Sequence, residues 1–193
     1  MKSALFIALT SGLALNLVVS NAYAESDLKD RAAKSKEVVQ EFMGQLKGEL
    51  QASMKAGGPT AAINMCKETA PVIAKNLSEK YGWTVARTSL KTRNPANAPD
   101  AWEKKVLQEF EARKAAGEDV KPMAYFEEVE NNGVKSFRFM KAIPTAAPCL
   151  TCHGDNIAPE VTAMLDASYP EDKARGFKAG DIRGAFTITQ PIK

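Results

Sequence analysis

Histidine is almost absent from this sequence, because the 193 residues include only His153. One histidine excludes catalytic triads and multi-histidine metal sites, unless His153 itself is used. Cysteine is scarce too, and three residues are too few for a disulfide scaffold. The formal net charge of +3 excludes a strongly basic nucleic-acid footprint, so we expect no nucleic-acid partner. The remaining composition, 45% hydrophobic and 25% charged, is typical of a globular protein.

Long hydrophobic runs are missing after the N-terminal segment. That segment combines Lys2, an apolar stretch over residues 4–20 and the small-x-small sequence Ala22-Tyr23-Ala24, which is typical of a secretory signal peptide. We expect cleavage after Ala24, a periplasmic or secreted protein, and no membrane span in the mature chain. An uncleaved membrane anchor is the alternative. The predicted organisation is therefore a signal peptide over residues 1–24 and a single domain over residues 25–193.

The mature chain shows helical periodicity first and strand-like patterns later. Helices are predicted over residues 26–56 and 59–80, joined at Gly57-Gly58, with a kink at Pro71 inside the second. Further helices are predicted at 101–116 and 159–167, and strands at 83–89, 123–129, 134–143 and 182–192. This order predicts an α+β fold with an N-terminal helical pair on a small antiparallel sheet.

The C-terminal half contains Cys149-Leu150-Thr151-Cys152-His153, the C-x-x-C-H motif for attachment of a c-type haem. Two cysteines at this spacing can form thioethers with the two vinyl groups of one porphyrin. His153 then provides the proximal iron ligand. The expected cofactor is one covalently attached haem c, and the export signal agrees with it, since c-type haem is attached outside the cytoplasm.

Two other interpretations of these residues remain open. Cys149 and Cys152 could form a redox or structural disulfide. Alternatively, Cys66, Cys149, Cys152 and His153 together make a Cys₃His set of the kind that binds zinc.

The second axial position of the iron needs another residue type, because the chain has no second histidine. Cysteine, methionine, lysine, water or an open position are the choices. Cys66 lies on the apolar face of the second helix and has no disulfide partner once the motif cysteines hold haem. It is either a buried small hydrophobic residue or a thiolate ligand. Met140 and Met164 are the alternative ligands.

Several segments, in order along the chain, resemble a known family. They are Ala62 to Cys66 with Ala70-Pro71, Arg87 to Asp100 with Trp102-Glu103, Cys149 to Gly154, Tyr169 to Ala174 and Gly180 to Ala185. Together they resemble the c-type haem family with a PAS-like fold that is typified by a small cyanobacterial haem protein. Related domains form the extracytoplasmic sensing part of some histidine kinases. The resemblance extends from about residue 35 to residue 192.

The resemblance implies a five-stranded PAS-like sheet with an N-terminal helical pair. It also implies His/Cys axial ligation, by His153 and by Cys66 as the distal ligand. Haem carries two propionates, and arginine suits carboxylates because its donors are paired. We therefore expect at least one of Arg87, Arg93 and Arg183 to contact a propionate, the alternative for each being a structural or exposed role.

These expectations define a monohaem c-type cytochrome with three candidate roles. The first is a redox- or gas-responsive sensor module, in which reduced iron binds CO or NO and a signalling partner detects the change. The second is a small electron carrier with a redox partner protein. The third, a peroxidase-like enzyme, is disfavoured because no second histidine is present, so we expect no enzymatic activity. A Cys₃His zinc protein is the remaining alternative.

Overall fold

The computed structural model describes residues 13–192, with side chains from residue 25 onward. The predicted signal peptide therefore falls outside the described residues over 1–12, and over 13–24 only the backbone of a helix is described. Within the described part of the chain, no helix combines the length and the apolar character that crossing a membrane requires.

The elements follow the predicted order of helices and strands. The helices are α1 (Leu13–Tyr81), α2 (Ala101–Ala115), α3 (Leu150–His153) and α4 (Pro159–Ser168), and the strands are β1 (Thr84–Thr88), β2 (Ala124–Asn131), β3 (Val134–Pro144) and β4 (Ile182–Pro191). Two short 3₁₀ turns, Pro95–Asn97 and Ala147–Cys149, lie between them. The α+β fold class is thus confirmed.

Helix α1 is a hairpin of two arms. Its backbone leaves helical geometry at Gly57 (φ −153°) and at Gly58 (φ 66°), a left-handed conformation that glycine adopts without steric cost. The first arm precedes this glycine pair and the second arm follows it. The carboxylate of Glu41 accepts hydrogen bonds from Lys80 Nζ at 2.8 Å and from the Tyr81 hydroxyl at 2.7 Å, so the arms run antiparallel.

The second arm continues through Pro71 without a break in the helix, and the kink expected there stays a prediction. The only non-helical dihedral angles inside α1 are those of the glycine pair. Proline removes one backbone hydrogen bond. Buried residues on both sides of it, Ile63 and Ala70 before and Ile73 and Leu77 after, pack the second arm against the rest of the molecule and keep it helical.

The four strands form one antiparallel sheet in the order β1-β4-β3-β2. Side chains alternate between its faces with the period of two that strands impose. One face and the α1 hairpin share a cluster of buried side chains, which consists of Ala32, Val38, Val39, Phe42, Ile73, Leu77, Val85, Phe137, Phe139, Phe186 and Ile188. The other face carries a cluster with α2, which includes Val106, Leu107, Phe110, Met140, Ala142, Ile182 and Ala185.

The sheet differs from the five-stranded one that the family resemblance implies, since residues 13–192 contain four strands. The segment between β1 and α2 contains Pro95 and Pro99, which have no N–H for a strand ladder, and its only regular structure is the 3₁₀ turn. That segment instead lies over the site described next.

Candidate cofactor site

The C-x-x-C-H motif begins in a 3₁₀ turn and ends in a single helical turn. Pro148 occupies the 3₁₀ turn, and α3 follows at once from Leu150 to His153. In a helical turn, residues three apart lie on the same side, so Cys149 and Cys152 face one direction. Cys66, Cys149 and Cys152 are all free, so the disulfide interpretation has no support from this structure.

Cys66 lies in the second arm of α1, close to the motif. Ile63, three residues earlier, packs in a cluster with Val161, Leu165 and Tyr169, and Cys152 packs against the same cluster. Burial raises the pKa of the Cys66 thiol, and the positive charges of Arg87, Arg93 and Arg183 partly offset that increase. Cys66 is therefore a partly buried thiol beside three arginines.

His153 is fixed by its Nδ1 atom, which lies 2.8 Å from the carbonyl oxygen of Ala174. A carbonyl only accepts, so Nδ1 carries the hydrogen and Nε2 keeps its lone pair. The Phe177 ring meets the imidazole edge-on, with ring centroids 6.2 Å apart. Burial, and then the charges of Arg183 and Arg93, lower the pKa of His153 to about 3, so the imidazole is neutral. A neutral imidazole with free Nε2 is the form that ligates a metal.

Arg183, at the start of β4, lies beside the imidazole. Its Nε is 3.2 Å from Nδ1 and 3.4 Å from Nε2 of His153, and its Nη1 donates to Ser89 Oγ at 3.2 Å. Because Nδ1 carries a hydrogen, only Nε2 can accept from this guanidinium. Burial, together with the charges of Arg93 and Arg87, lowers the pKa of Arg183 to about 10.

Arg93 is fixed by three acceptors. It forms an ion pair with Asp172 at 3.2 Å, and its Nη2 donates to the carbonyl oxygens of Cys152 and Ala174. The side chains of Arg93 and Asp172 are only 10% and 2% exposed, so the pair is shielded from water. Arg93 thus links the motif to the segment that holds His153.

Arg87, on β1, has no hydrogen bond or ion pair with any side chain of the described chain. Its guanidinium lies over the Phe42 ring, 5.6 Å from the centroid. Burial lowers the pKa of Arg87, and the groups that act against this are the Cys66 thiol and the Tyr169 hydroxyl. A partly buried guanidinium without an acidic partner is available to a carboxylate, which makes Arg87 the arginine most suited to a carboxylate ligand.

Met140 and Met164, the alternative candidates for the second iron ligand, lie in different parts of the molecule. Met140 is fully buried in the cluster between the sheet and α2, away from the motif. Met164 packs against the α4 cluster that also contacts Cys152. Of the two, only Met164 lies in the same region as the cysteines.

Among residues 13–192, no three His, Cys, Asp or Glu side chains lie close enough together to hold a metal ion. Cys66, Cys149, Cys152 and His153 all belong to this part of the chain, so the Cys₃His zinc interpretation loses its geometric basis. The same residues would suit haem, because Cys149 and Cys152 could form thioethers while His153 and Cys66 are the candidate iron ligands.

The sequence analysis assigned no role to Asp172, Ala174, Ser89 and Phe177, although all four contact the arginines or His153. Asp172 and Ala174 lie within a segment that carries the family resemblance, and this was the one signal that could have identified them. The sequence cannot identify the Ala174 carbonyl as an acceptor, because every residue has a backbone carbonyl.

The fold and the site together define an α+β protein in which a helical hairpin, a four-stranded sheet and a C-x-x-C-H turn converge. A family model described as Tll0287-like matches residues 21–191, and the chain belongs to this family, which confirms the resemblance. The crystal structure of the cyanobacterial heme-protein Tll0287 has a similar fold, with a TM-score of 0.64 and 24% identity over 85% of this chain and 96% of that chain. No curated protein matches the chain.

Proposed function

We propose that this protein is an exported monohaem c-type cytochrome that acts as a redox- or gas-responsive sensor module and not as an enzyme. The observation that carries the proposal is the convergence of Cys66, the C-x-x-C-H turn and three arginines, which come from distant parts of the chain. The family match and the name of the heme-protein with a similar fold support it.

Each group has a stated task in this proposal. Cys149 and Cys152 hold the porphyrin covalently, and His153 presents the lone pair of Nε2 as proximal ligand. When bound, haem supplies an iron that changes oxidation state and accepts axial ligands. Cys66 would give its sulfur to the iron as the second protein ligand, and Arg87 would hold a propionate.

The sensor role depends on whether Cys66 can leave the iron. Burial raises the pKa of its thiol, so the neutral form is favoured wherever no cation compensates. A thiol ligates more weakly than a thiolate. If Cys66 left the iron on reduction, CO or NO would gain access to it, whereas a Cys66 that remained bound would suit an electron carrier.

The test is an absorption spectrum of the exported full chain, first oxidised and then reduced, with and without CO. We expect haem that resists extraction by acidified organic solvent, low-spin thiolate bands in the oxidised state, and a shifted Soret band when CO is added after reduction. Cys66→Ala should lose the thiolate bands and retain the haem. Thr151→Ala, an exposed position between the motif cysteines, is the matched control and should behave as wild type.

Other outcomes assign other roles. A reduced protein that ignores CO and exchanges electrons rapidly with a second cytochrome is the electron carrier. Extractable haem contradicts covalent attachment, and absence of any haem contradicts the whole proposal. N-terminal sequencing of the exported protein tests the expected cut after Ala24.

A further inference from the structure

Arg93 and His153 do not touch each other, yet they share an acceptor. The carbonyl oxygen of Ala174 accepts from His153 Nδ1 at 2.8 Å and from Arg93 Nη2 at 3.2 Å. We propose that Arg93 is a positioning residue for His153: anchored on Asp172, it holds the Ala174 carbonyl in the place that keeps hydrogen on Nδ1 and leaves Nε2 free. The iron in this account rests on the proposed function, whereas the hydrogen bonds belong to the chain alone.

The segment from Asp172 to Phe177 is held at both ends. At its far end, the backbone N–H of Phe177 donates to the His153 carbonyl at 2.9 Å, and that of Gly176 to the Gly154 carbonyl at 2.8 Å. At its near end, the Asp172 carboxylate accepts from the Ala174 N–H at 2.9 Å. Besides the His153 ring itself, Arg93 ties this near end to the motif through the Cys152 carbonyl. The Lys173 N–H also donates to the Thr92 carbonyl, next to Arg93, at 2.8 Å.

The anchor of Arg93 is itself rigid. Each oxygen of the Asp172 carboxylate binds a different arginine, Oδ1 at 3.2 Å from Arg93 Nε and Oδ2 at 2.9 Å from Arg175 Nε. The Asp172 side chain is 2% exposed, so water does not compete for it. The Arg175 side chain reaches the same carboxylate from a more exposed side and donates to neither the Cys152 nor the Ala174 carbonyl, which makes it a control within the same cluster.

Arginine is required here for geometric reasons. Its planar fork directs Nε to the carboxylate while Nη2 reaches two carbonyls, whereas a lysine presents one compact ammonium group. Lysine at position 93 would keep the charge beside Asp172 and lose the bridge to the Ala174 carbonyl. Arg93→Lys therefore removes the bridging geometry and keeps the charge, whereas Arg93→Gln removes both.

Arg183 acts at the other nitrogen of the same ring. Its Nε can donate only to Nε2, at 3.4 Å, which is near the limit for a hydrogen bond. This contact also favours hydrogen on Nδ1, but it does not place the Ala174 carbonyl. Loss of Arg93 should therefore appear as loss of protection of the Nδ1 hydrogen, even where Arg183 preserves the tautomer.

The experiment uses the single histidine of the chain as its probe. The full chain, produced without haem attachment and labelled at the histidine ring nitrogens, should give one slowly exchanging N–H signal, from Nδ1, in the NMR spectrum. In Arg93→Gln and Arg93→Lys, we expect that hydrogen to exchange about tenfold faster or more, the effect of losing one hydrogen bond. Arg175→Gln should exchange as wild type does.

A wild-type exchange rate in both Arg93 variants would overturn the proposal, and so would an equal loss in Arg175→Gln. The indole signals of Trp83 and Trp102 establish that each variant is folded. If Arg93→Gln does not fold, Arg93→Lys, which keeps the ion pair, decides the question. A chain that binds no haem contradicts the proposed function, but it does not affect the exchange result for the Nδ1 hydrogen of His153.

The haem-loaded protein provides a second readout. Displacement of the Ala174 carbonyl weakens the hydrogen bond that makes His153 a stronger donor to iron. Arg93→Lys should therefore shift the reduction potential upward and broaden the low-spin signals in electron paramagnetic resonance, while Arg175→Gln leaves both unchanged. Unaltered potential and signals in Arg93→Lys would contradict the proposal.

Discussion

The three arginines of the site differ in what surrounds them, although the sequence presents them as equivalent. Arg93 is held by Asp172 and two carbonyls, and Arg183 by His153 and Ser89. Arg87 lies against the Phe42 ring without an acidic partner among the described side chains. A cation–π contact offsets only part of the cost of burying a charge. The three should therefore respond differently to substitution.

Replacement of Arg87 should change stability in opposite directions in the two forms of the protein. In the haem-free chain, Arg87→Met removes a partly buried unpaired charge, and we expect the free energy of unfolding to rise by up to about 1 kcal/mol. In the haem-loaded protein the same change removes the partner of a propionate and should lower stability. Urea unfolding of both forms measures this. Arg113→Met, which removes a half-buried arginine paired with Glu118 on the far side of the sheet, is the control and should show no such reversal.

Gly184 is a second residue whose role follows from its surroundings. A Cβ atom there would lie 2.3 Å from the Thr88 carbonyl oxygen, because β4 and β1 approach closely next to Arg183. Gly184→Ala should destabilise the protein by about 1 to 3 kcal/mol, the usual effect of overpacking. Gly44→Ala, on an open face of α1, should be neutral or stabilising by up to about 1 kcal/mol. Equal melting temperatures for the two variants would contradict the close approach.

At the scale of elements, the hairpins were predictable because their turns have strong local signals. Gly57-Gly58 ends one helical period and begins another. Asn132 (φ 52°) and Gly133 (φ 77°) form the two-residue turn between β2 and β3, for which Asn-Gly is the favoured sequence. The second arm stays helical through Pro71, because packing on both sides of the proline, a tertiary effect, supports the helix.

The α1 hairpin should depend on pH through Glu41. Hydrogen bonds from Lys80 and then from Tyr81 lower the pKa of this carboxyl. A lowered pKa gives a stabilisation that is present above the unfolded value of 4.5 and is lost as pH falls through the folded value. Glu41→Gln should therefore lose up to about 1 kcal/mol at neutral pH and nothing in strong acid. Glu37→Gln, one turn earlier and exposed, is the control for thermal unfolding at both pH values.

At the scale of the whole molecule, one sheet separates two clusters of buried side chains. Trp83 packs against the cluster under the α1 hairpin, and Trp102 against the cluster under α2. Arg138, on β3, binds Asp100 at 2.7 Å and Glu103 at 3.2 Å, and so joins the sheet to the start of α2. The strands shared by both clusters should make them unfold together.

This coupling can be measured with the two tryptophans of the chain. Trp83→Phe leaves only Trp102 as a fluorescent probe, and Trp102→Phe leaves only Trp83. In each variant, we expect the unfolding midpoint measured by fluorescence to equal the midpoint measured by circular dichroism, after correction for the stability of that variant. Two separate fluorescence midpoints would show that the faces unfold independently. Adding Arg138→Met should lower both midpoints together, since a broken buried ion pair costs about 3 to 5 kcal/mol.

The site was predictable where residue type carries the chemistry. Cys149, Cys152 and His153 form a local motif, and the free cysteine at position 66 lay on a helix face that sequence periodicity identified. The contacts of Asp172 and of the Ala174 carbonyl were not predictable, because they depend on how distant segments meet in space. The same limit applies to Arg87, whose lack of a partner is visible only in three dimensions.

The last strand of the chain lies inside the sheet, between β1 and β3. About a hundred residues separate β1 from its neighbour β4 in the sequence, so the sheet cannot close during synthesis until β4 has left the ribosome. Contacts so distant in sequence make folding slow and late. The sheet therefore stays open until β4 is present. Deletion of residues 182–191 should consequently leave no partly folded sheet, but a chain open to proteases along its whole length.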